Sequence, residues 1–144
     1  MRFELIIDPN CEEQVILRAR KESELTRAIQ RLVQEEPTKL VGYREGEIVP
    51  LTPAQIYCIM VEGDRVFALC EKEKLQVKQR LYVLEEMLGD DFVKLNQSCL
   101  ANVKKVERFD ASVTGTLKVK FKNGHVDYVS RRQMKQVKER FGIK

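Results

Sequence analysis

The feature that most constrains this chain is its glycine punctuation. Gly46, Gly63, Gly115 and Gly124 each stand between two short strand-like runs. Glycine supplies the positive φ that a tight hairpin turn requires. The pair Asn123-Gly124 is the strongest hairpin signal in the chain. The runs are Lys39–Tyr43, Glu47–Leu51, Ile56–Val61, Arg65–Cys70, Phe92–Leu95, Lys105–Ala111, Thr116–Phe121 and Val126–Val129. The expected fold class is therefore mostly β with minor α, its short strands joined in antiparallel hairpins. Thr52-Pro53-Ala54-Gln55-Ile56 suggests one helical turn. Leu81, Leu84, Met87 and Leu88 mark a short middle helix ended by Gly89. A closing helix follows Ser130, with Met134, Val137 and Phe141 inward and Arg131, Lys135 and Lys138 outward.

The first 47 residues read differently. Arg2–Ile7 and Val15–Leu17 are expected strands around an Asp8-Pro9-Asn10 turn. Leu25, Ala28, Ile29, Leu32 and Val33 then follow the spacing of one helix face, with Ser23 as candidate N-cap and Pro37 beyond the end. This predicts a β-hairpin/helix extension over 1–47 and a main domain over 48–144. The apolar stripe must be covered, by the chain's own sheet or by a second copy.

Chemistry that the chain lacks narrows its function. Cys11, Cys58, Cys70 and Cys99 are widely spaced, and the one histidine, His125, cannot complete a zinc cluster with them. Four reduced thiols in a cytoplasmic protein are expected. His125 follows the Asn123-Gly124 turn and reads as a solvated turn residue. No phosphate-binding glycine loop, nucleophile elbow or metalloprotease motif occurs, so neither an enzyme nor a cofactor is expected. No apolar run is long enough to span a bilayer, and MRFELIIDPN has no secretory h-region. There is no helix-turn-helix pattern either.

Charge points to one half. Residues 92–144 hold 13 Lys/Arg and 4 Asp/Glu, a net +9, whereas residues 1–91 hold 13 and 18, a net −5. Such asymmetry suggests a polyanionic partner for the second half. That half opens with Phe92–Asp110, FVKLNQSCLANVKKVERFD. It has a short strand, the hydrogen-bonding cluster Asn96-Gln97-Ser98, a small apolar run, Asn102, and Lys104-Lys105. A polar cluster between strands with lysines following can read base edges and hold phosphates. The competing reading is a polar surface turn with lysines on an exposed edge.

These residues also carry a resemblance. Ile56–Ile59 through Phe67-Ala68, Leu81–Leu88, FVKLNQSCLANVKKV, GTLKVKFKNG and YVSRRQMKQVKERFG together resemble the LytTR DNA-binding domain, in order and spacing, across roughly residues 48–144. Members of that family are bacterial transcription regulators. The resemblance implies a compact fold of short sheets whose loops enter successive major grooves at paired repeats. It implies that Asn96, Gln97 and Ser98 form one contacting loop. Gln97 stands where the family has a basic residue; glutamine pairs with adenine but brings no charge. Lys94 and Asn102 match the family pattern directly. Ser130, Arg131 and Arg132 match a second contacting loop, with Arg132 the base reader, and Arg65 lies in the region of a third. Lys94, Lys104, Lys105, Arg131 and Arg132 are the expected phosphate contacts. Residues 1–47 are too few for a receiver domain and resemble the leading segment of stand-alone members.

The implied function is a sequence-specific double-stranded DNA-binding regulator acting on promoter repeats. A homodimer and a regulatory partner protein remain open as further partners, with no membrane insertion. The alternative is a protein-interaction module that keeps the fold but has weak or no DNA binding, as uncharged Gln97 would suit. RNA binding is disfavoured because Phe121 and Tyr128 read as core residues rather than an exposed stacking pair.

Overall fold

The computed structural model describes residues 2–34 and 39–144. It separates into two compact units, Met1–Glu36 and Pro37–Lys144. The larger unit therefore begins before residue 48. Strands β1 (Leu40–Arg44) and β2 (Glu47–Leu51) belong to its main sheet, because β1 pairs with both β2 and β5.

In the larger unit, β3 (Cys58–Glu62), β4 (Arg65–Leu69), β5 (Lys74–Val77), β6 (Phe92–Asn96) and β7 (Cys99–Asn102) complete a seven-stranded sheet, ordered β2-β1-β5-β4-β3-β7-β6. A second sheet, β10-β9-β8, is built from β8 (Val106–Ala111), β9 (Leu117–Phe121) and β10 (Val126–Val129). Every pairing is antiparallel. Two of these strands escaped the sequence reading. β7 is buried along its whole length, so its Cys-Leu-Ala run shows no polar alternation. β5 follows a charge run that reads as an exposed strand end, although Leu75 and Val77 point inward.

Alternation along the strands divides the core in two. Ile59, Ala68, Leu75, Leu100 and Phe92 pack with Leu84 and Leu88 of α2 (Leu81–Leu88). Cys58, Val93, Leu95, Cys99 and Ala101 face the other way. They meet Leu117, Val119, Phe121 and Val129 of the small sheet and Val137 of α3 (Met134–Phe141). Met134 and Phe141 pack against this second core, and Gly142, at φ 71°, ends α3 in a left-handed cap. A three-residue 3-10 turn, Arg131–Gln133, precedes α3, so the closing helix starts later than the pattern suggests. Gly42 admits no side chain: a Cβ there would lie 2.6 Å from the Leu75 Cβ.

In the smaller unit, α1 spans Glu24–Gln34. Ser23 caps it as expected, with Thr26 N donating to Ser23 Oγ at 3.3 Å and Ser23 N to Thr26 Oγ1 at 2.9 Å. The proposed stop at Pro37 lies outside the described residues. The predicted hairpin does not form. The turn is present, with Cys11 N donating to Asp8 O at 3.3 Å and Asn10 N to Asp8 Oδ1 at 3.0 Å. Its flanks, 2–7 and 15–17, pair into no ladder. A lone two-stranded hairpin is marginal in water. The contiguous runs Leu5-Ile6-Ile7 and Val15-Ile16-Leu17 also offer no single inner face.

Candidate nucleic-acid interface

Three turns that are distant in sequence meet at one end of the larger unit. The β6–β7 turn holds Gln97 and Ser98, both exposed. Register pairs Met60 with Cys99, and Val61 N donates to Ser98 O at 2.9 Å. The β3–β4 turn, which places Glu62 opposite Arg65, therefore adjoins Ser98. On the other side, Ser130 N donates to Leu95 O at 2.9 Å, which brings the start of the 3-10 turn, with Arg131 and Arg132, against β6.

Asn96 is the knot. Its Nδ2 donates to Tyr128 O at 2.7 Å and to Asp127 Oδ1 at 3.0 Å, and its Oδ1 accepts from Ser98 N at 2.8 Å. A register shift between Lys94 and Asn96 frees the end of β6 to turn this amide toward β10. With its amide so engaged, Asn96 shapes the turn and leaves Gln97 and Ser98 at the tip.

Asn102 requires a larger correction. It is 3% exposed. Its Nδ2 donates to Ile56 O at 2.8 Å and its Oδ1 accepts from Lys104 N at 3.1 Å. It caps the 3-10 turn Val103–Lys105 and holds the Ile56 corner, so its amide is engaged within the fold rather than presented at the surface. Lys104 and Lys105 also fall away from the cluster, at the other end of β7 from the Gln97-Ser98 turn. The four residues of β7 separate Ser98 from Val103, a span of roughly 17 Å. Lys104 lies 3.9 Å from Asp91, and Lys105 lies over the Tyr57 ring at 5.0 Å.

The cations at the turn cluster differ from these. Arg65, Arg131 and Arg132 are exposed and Lys94 is half-buried on β6. None of the four has an ion-pair partner among the described residues. Two neighbouring carboxylates are already engaged. Glu62 receives Lys74 Nζ at 3.0 Å, and Asp127 accepts from Asn96 and from Tyr128 N. Asp64, in the β3–β4 turn, is exposed beside Arg65, and the four cations of the cluster stay in excess over Asp64 and Asp127.

Tyr128 is a candidate that the sequence reading misplaced in the core. It is 59% exposed, on the outer face of β10, whereas Phe121 is buried as expected. The signal was present: Val129 faces inward, so the residue before it must face outward. Lys118 lies directly opposite Tyr128 on β9 and is exposed as well.

His125 is likewise not a solvated turn residue. Its Nε2 is buried and lies 4.0 Å from Asp127 Oδ2. The Cys58 sulfur and Asp127 raise the imidazole pKa against the effect of burial. All four cysteines are free thiols, and Cys58, Cys70 and Cys99 are buried.

No two α-helices are joined by a short turn among the described residues; strands intervene each time. No helix among them is long and apolar enough to cross a membrane. The family model described as the LytTr DNA-binding domain matches residues 46–142. Uncharacterized HTH-type transcriptional regulators of Staphylococcus aureus strains NCTC 8325 / PS 47 and COL are each 30% identical over 146 residues. That match covers 99% of this chain and 99% of theirs. A solved LytTr DNA-binding domain from a Bacillus cereus response regulator superposes with a TM-score of 0.68 at 16% identity. It covers 72% of this chain and 97% of that one.

Proposed function

Because the chain belongs to the LytTr DNA-binding domain family, we propose that it regulates transcription by binding specific double-stranded sequences through its turn cluster. The observation that carries this reading is the convergence of three turns on Asn96 and Ser98, with four cations that lack carboxylate partners. Cations of this kind neutralise phosphates and release counterions. Turns on a rigid two-sheet scaffold hold their tips in fixed register for the major groove.

Roles divide by geometry. Gln97, at the exposed tip, pairs with adenine through its amide. Arg131 and Arg132 are adjacent on a 3-10 turn, so their side chains diverge by about 120° and do different work. Arg132 reads a base, to guanine through its planar fork, and Arg131 holds a phosphate. Arg65 and Lys94 hold flanking phosphates, and Ser98 and Ser130 donate hydroxyls to the backbone. Asn96 positions the tip, and Tyr128 packs against the sugar edge or a thymine methyl.

Selection of bound duplexes from a random pool tests the proposal. Enrichment of a paired repeat containing an adenine and a guanine contact supports it. A pool that stays random after repeated rounds overturns it, and would favour the interaction-module reading that uncharged Gln97 suits.

A further inference from the structure

Asp127 is out of place by charge. The carboxylates of residues 92–144 are Glu107, Asp110, Asp127 and Glu139. Glu107 and Asp110 hold Arg108 and Lys120. Asp127 lies on β10 beside the turn cluster, yet it pairs with no lysine or arginine among the described residues. A carboxylate there repels an approaching phosphate. Its bonds show different work. One oxygen, Oδ1, accepts from Asn96 Nδ2 at 3.0 Å and from Tyr128 N at 2.8 Å. The other, Oδ2, lies 4.0 Å from His125 Nε2.

His125 is itself tied to the scaffold. Its N donates to Asn123 Oδ1 at 3.1 Å, and its carbonyl accepts from Phe121 N at 2.8 Å. Asn123 Nδ2 in turn donates to Cys70 O, just past the end of β4, at 3.2 Å. The His125 Nε2 atom is buried and no hydrogen bond reaches it. The ionisable groups facing the ring are Cys58 and Glu62 of β3 and Asp127 of β10, with Cys99 of β7 beside Cys58. The Cys58 sulfur foremost, then Asp127 and Glu62, hold the imidazole above its ordinary pKa against the effect of burial. The ring therefore carries its proton below that raised value and loses it as pH rises through it. A charged ring holds Oδ2 and leaves Oδ1 facing Asn96; a neutral ring holds it less.

We propose that Asp127 is a positioning residue of the contacting turn: anchored by His125, it fixes the Asn96 amide and through it the Gln97-Ser98 tip, so that the charge of one imidazole sets affinity for DNA. The chain of contacts runs unbroken from Cys70 through Asn123, His125, Asp127 and Asn96 to the Ser98 amide. The proposal rests on the DNA-binding reading of the turn cluster.

Two measurements on the full chain test it. The first, without DNA, is hydrogen exchange at the Asn96 side-chain amide and the Ser98 backbone amide. Asp127→Ala should speed both about tenfold while core amides stay protected. Asp127→Asn keeps an acceptor oxygen in place and should restore most of the protection. The second is binding to a duplex from the selected pool. By charge alone, Asp127→Ala removes a repelling carboxylate and tightens binding. The account predicts a loss of about tenfold instead, the scale of one base contact, with Asp127→Asn close to wild type. Wild-type affinity should also fall as pH rises from about 5.5 to 8, and His125→Gln should flatten that profile. Cys58→Ala removes the neighbouring thiol, which Cys99 lowers to about 6, and should keep the fall. Three results overturn the proposal: unchanged exchange in Asp127→Ala, equal or tighter binding by that variant, or a pH profile that survives His125→Gln. If no duplex binds, the DNA-binding reading fails by itself, and the exchange result still decides whether Asp127 positions the turn.

Discussion

Two regions of the larger unit carry comparable positive charge and use it differently. Around β8 and β9, Arg108 contacts Glu107 and Asp110 at 3.1 Å, and Lys120 lies 3.7 Å from Glu107. At the nearby 3-10 turn, Lys104 faces Asp91. At the turn cluster, Arg65, Lys94, Arg131 and Arg132 have no such partners, and Glu62 beside them is taken by Lys74. Exposed ion pairs contribute only about 0–1 kcal/mol each to stability. They do, however, cancel the field that an approaching phosphate would meet. The lesson is that a net +9 identifies the half of the chain, while the convergence of three turns around partnerless cations identifies the end.

The comparison can be broken by substitution. The largest effect expected is from Arg131→Ala combined with Arg132→Ala, which should weaken binding to the preferred duplex about 100-fold in a fluorescence anisotropy titration. A change under about threefold would remove the cluster from the interface. Arg132→Lys keeps the charge and loses the fork. It should cost about 1–3 kcal/mol on the preferred site and little on unrelated DNA. Equal losses on both duplexes would sink Arg132 as a base reader. Asn102→Ala sharpens the contrast from the inside. It strands the Ile56 carbonyl and should lower unfolding stability by about 1–3 kcal/mol, while the folded fraction keeps its affinity. Loss of affinity at full folding would return Asn102 to the contact surface. Smallest of all, Arg108→Ala with Lys120→Ala should change affinity by no more than about twofold, since both side chains are already paired.

How far the sequence was legible follows the same division. Strand periods and glycine turns locate β1–β4, β6 and β8–β10 within a residue or two, because each of these strands borders a turn or shows alternation. β7 was hidden by burial on both faces, which removes the period-2 signal. In the smaller unit the apolar runs suggested strands, but strands need a partner and a covered face, and the described chain supplies neither. At the candidate site, the residue types gave the members and not their work. The resemblance places Asn96 in a contacting loop and matches Asn102 directly, yet one ties the turn from outside and the other lies in the core. Tyr128 was assigned inward although its neighbour Val129 already occupied that face. Which cations are paired depends on contacts across strands, as with Lys74 of β5 and Glu62 of β3, and no spacing along the chain encodes it.

The salt dependence of binding tests the central claim most directly. If the unpaired cations of the turn cluster hold the phosphates, the logarithm of affinity should fall with the logarithm of salt at a slope of about −3 to −4. Arg131→Ala should then reduce that slope by about one. An identical slope in wild type and Arg131→Ala would contradict the account.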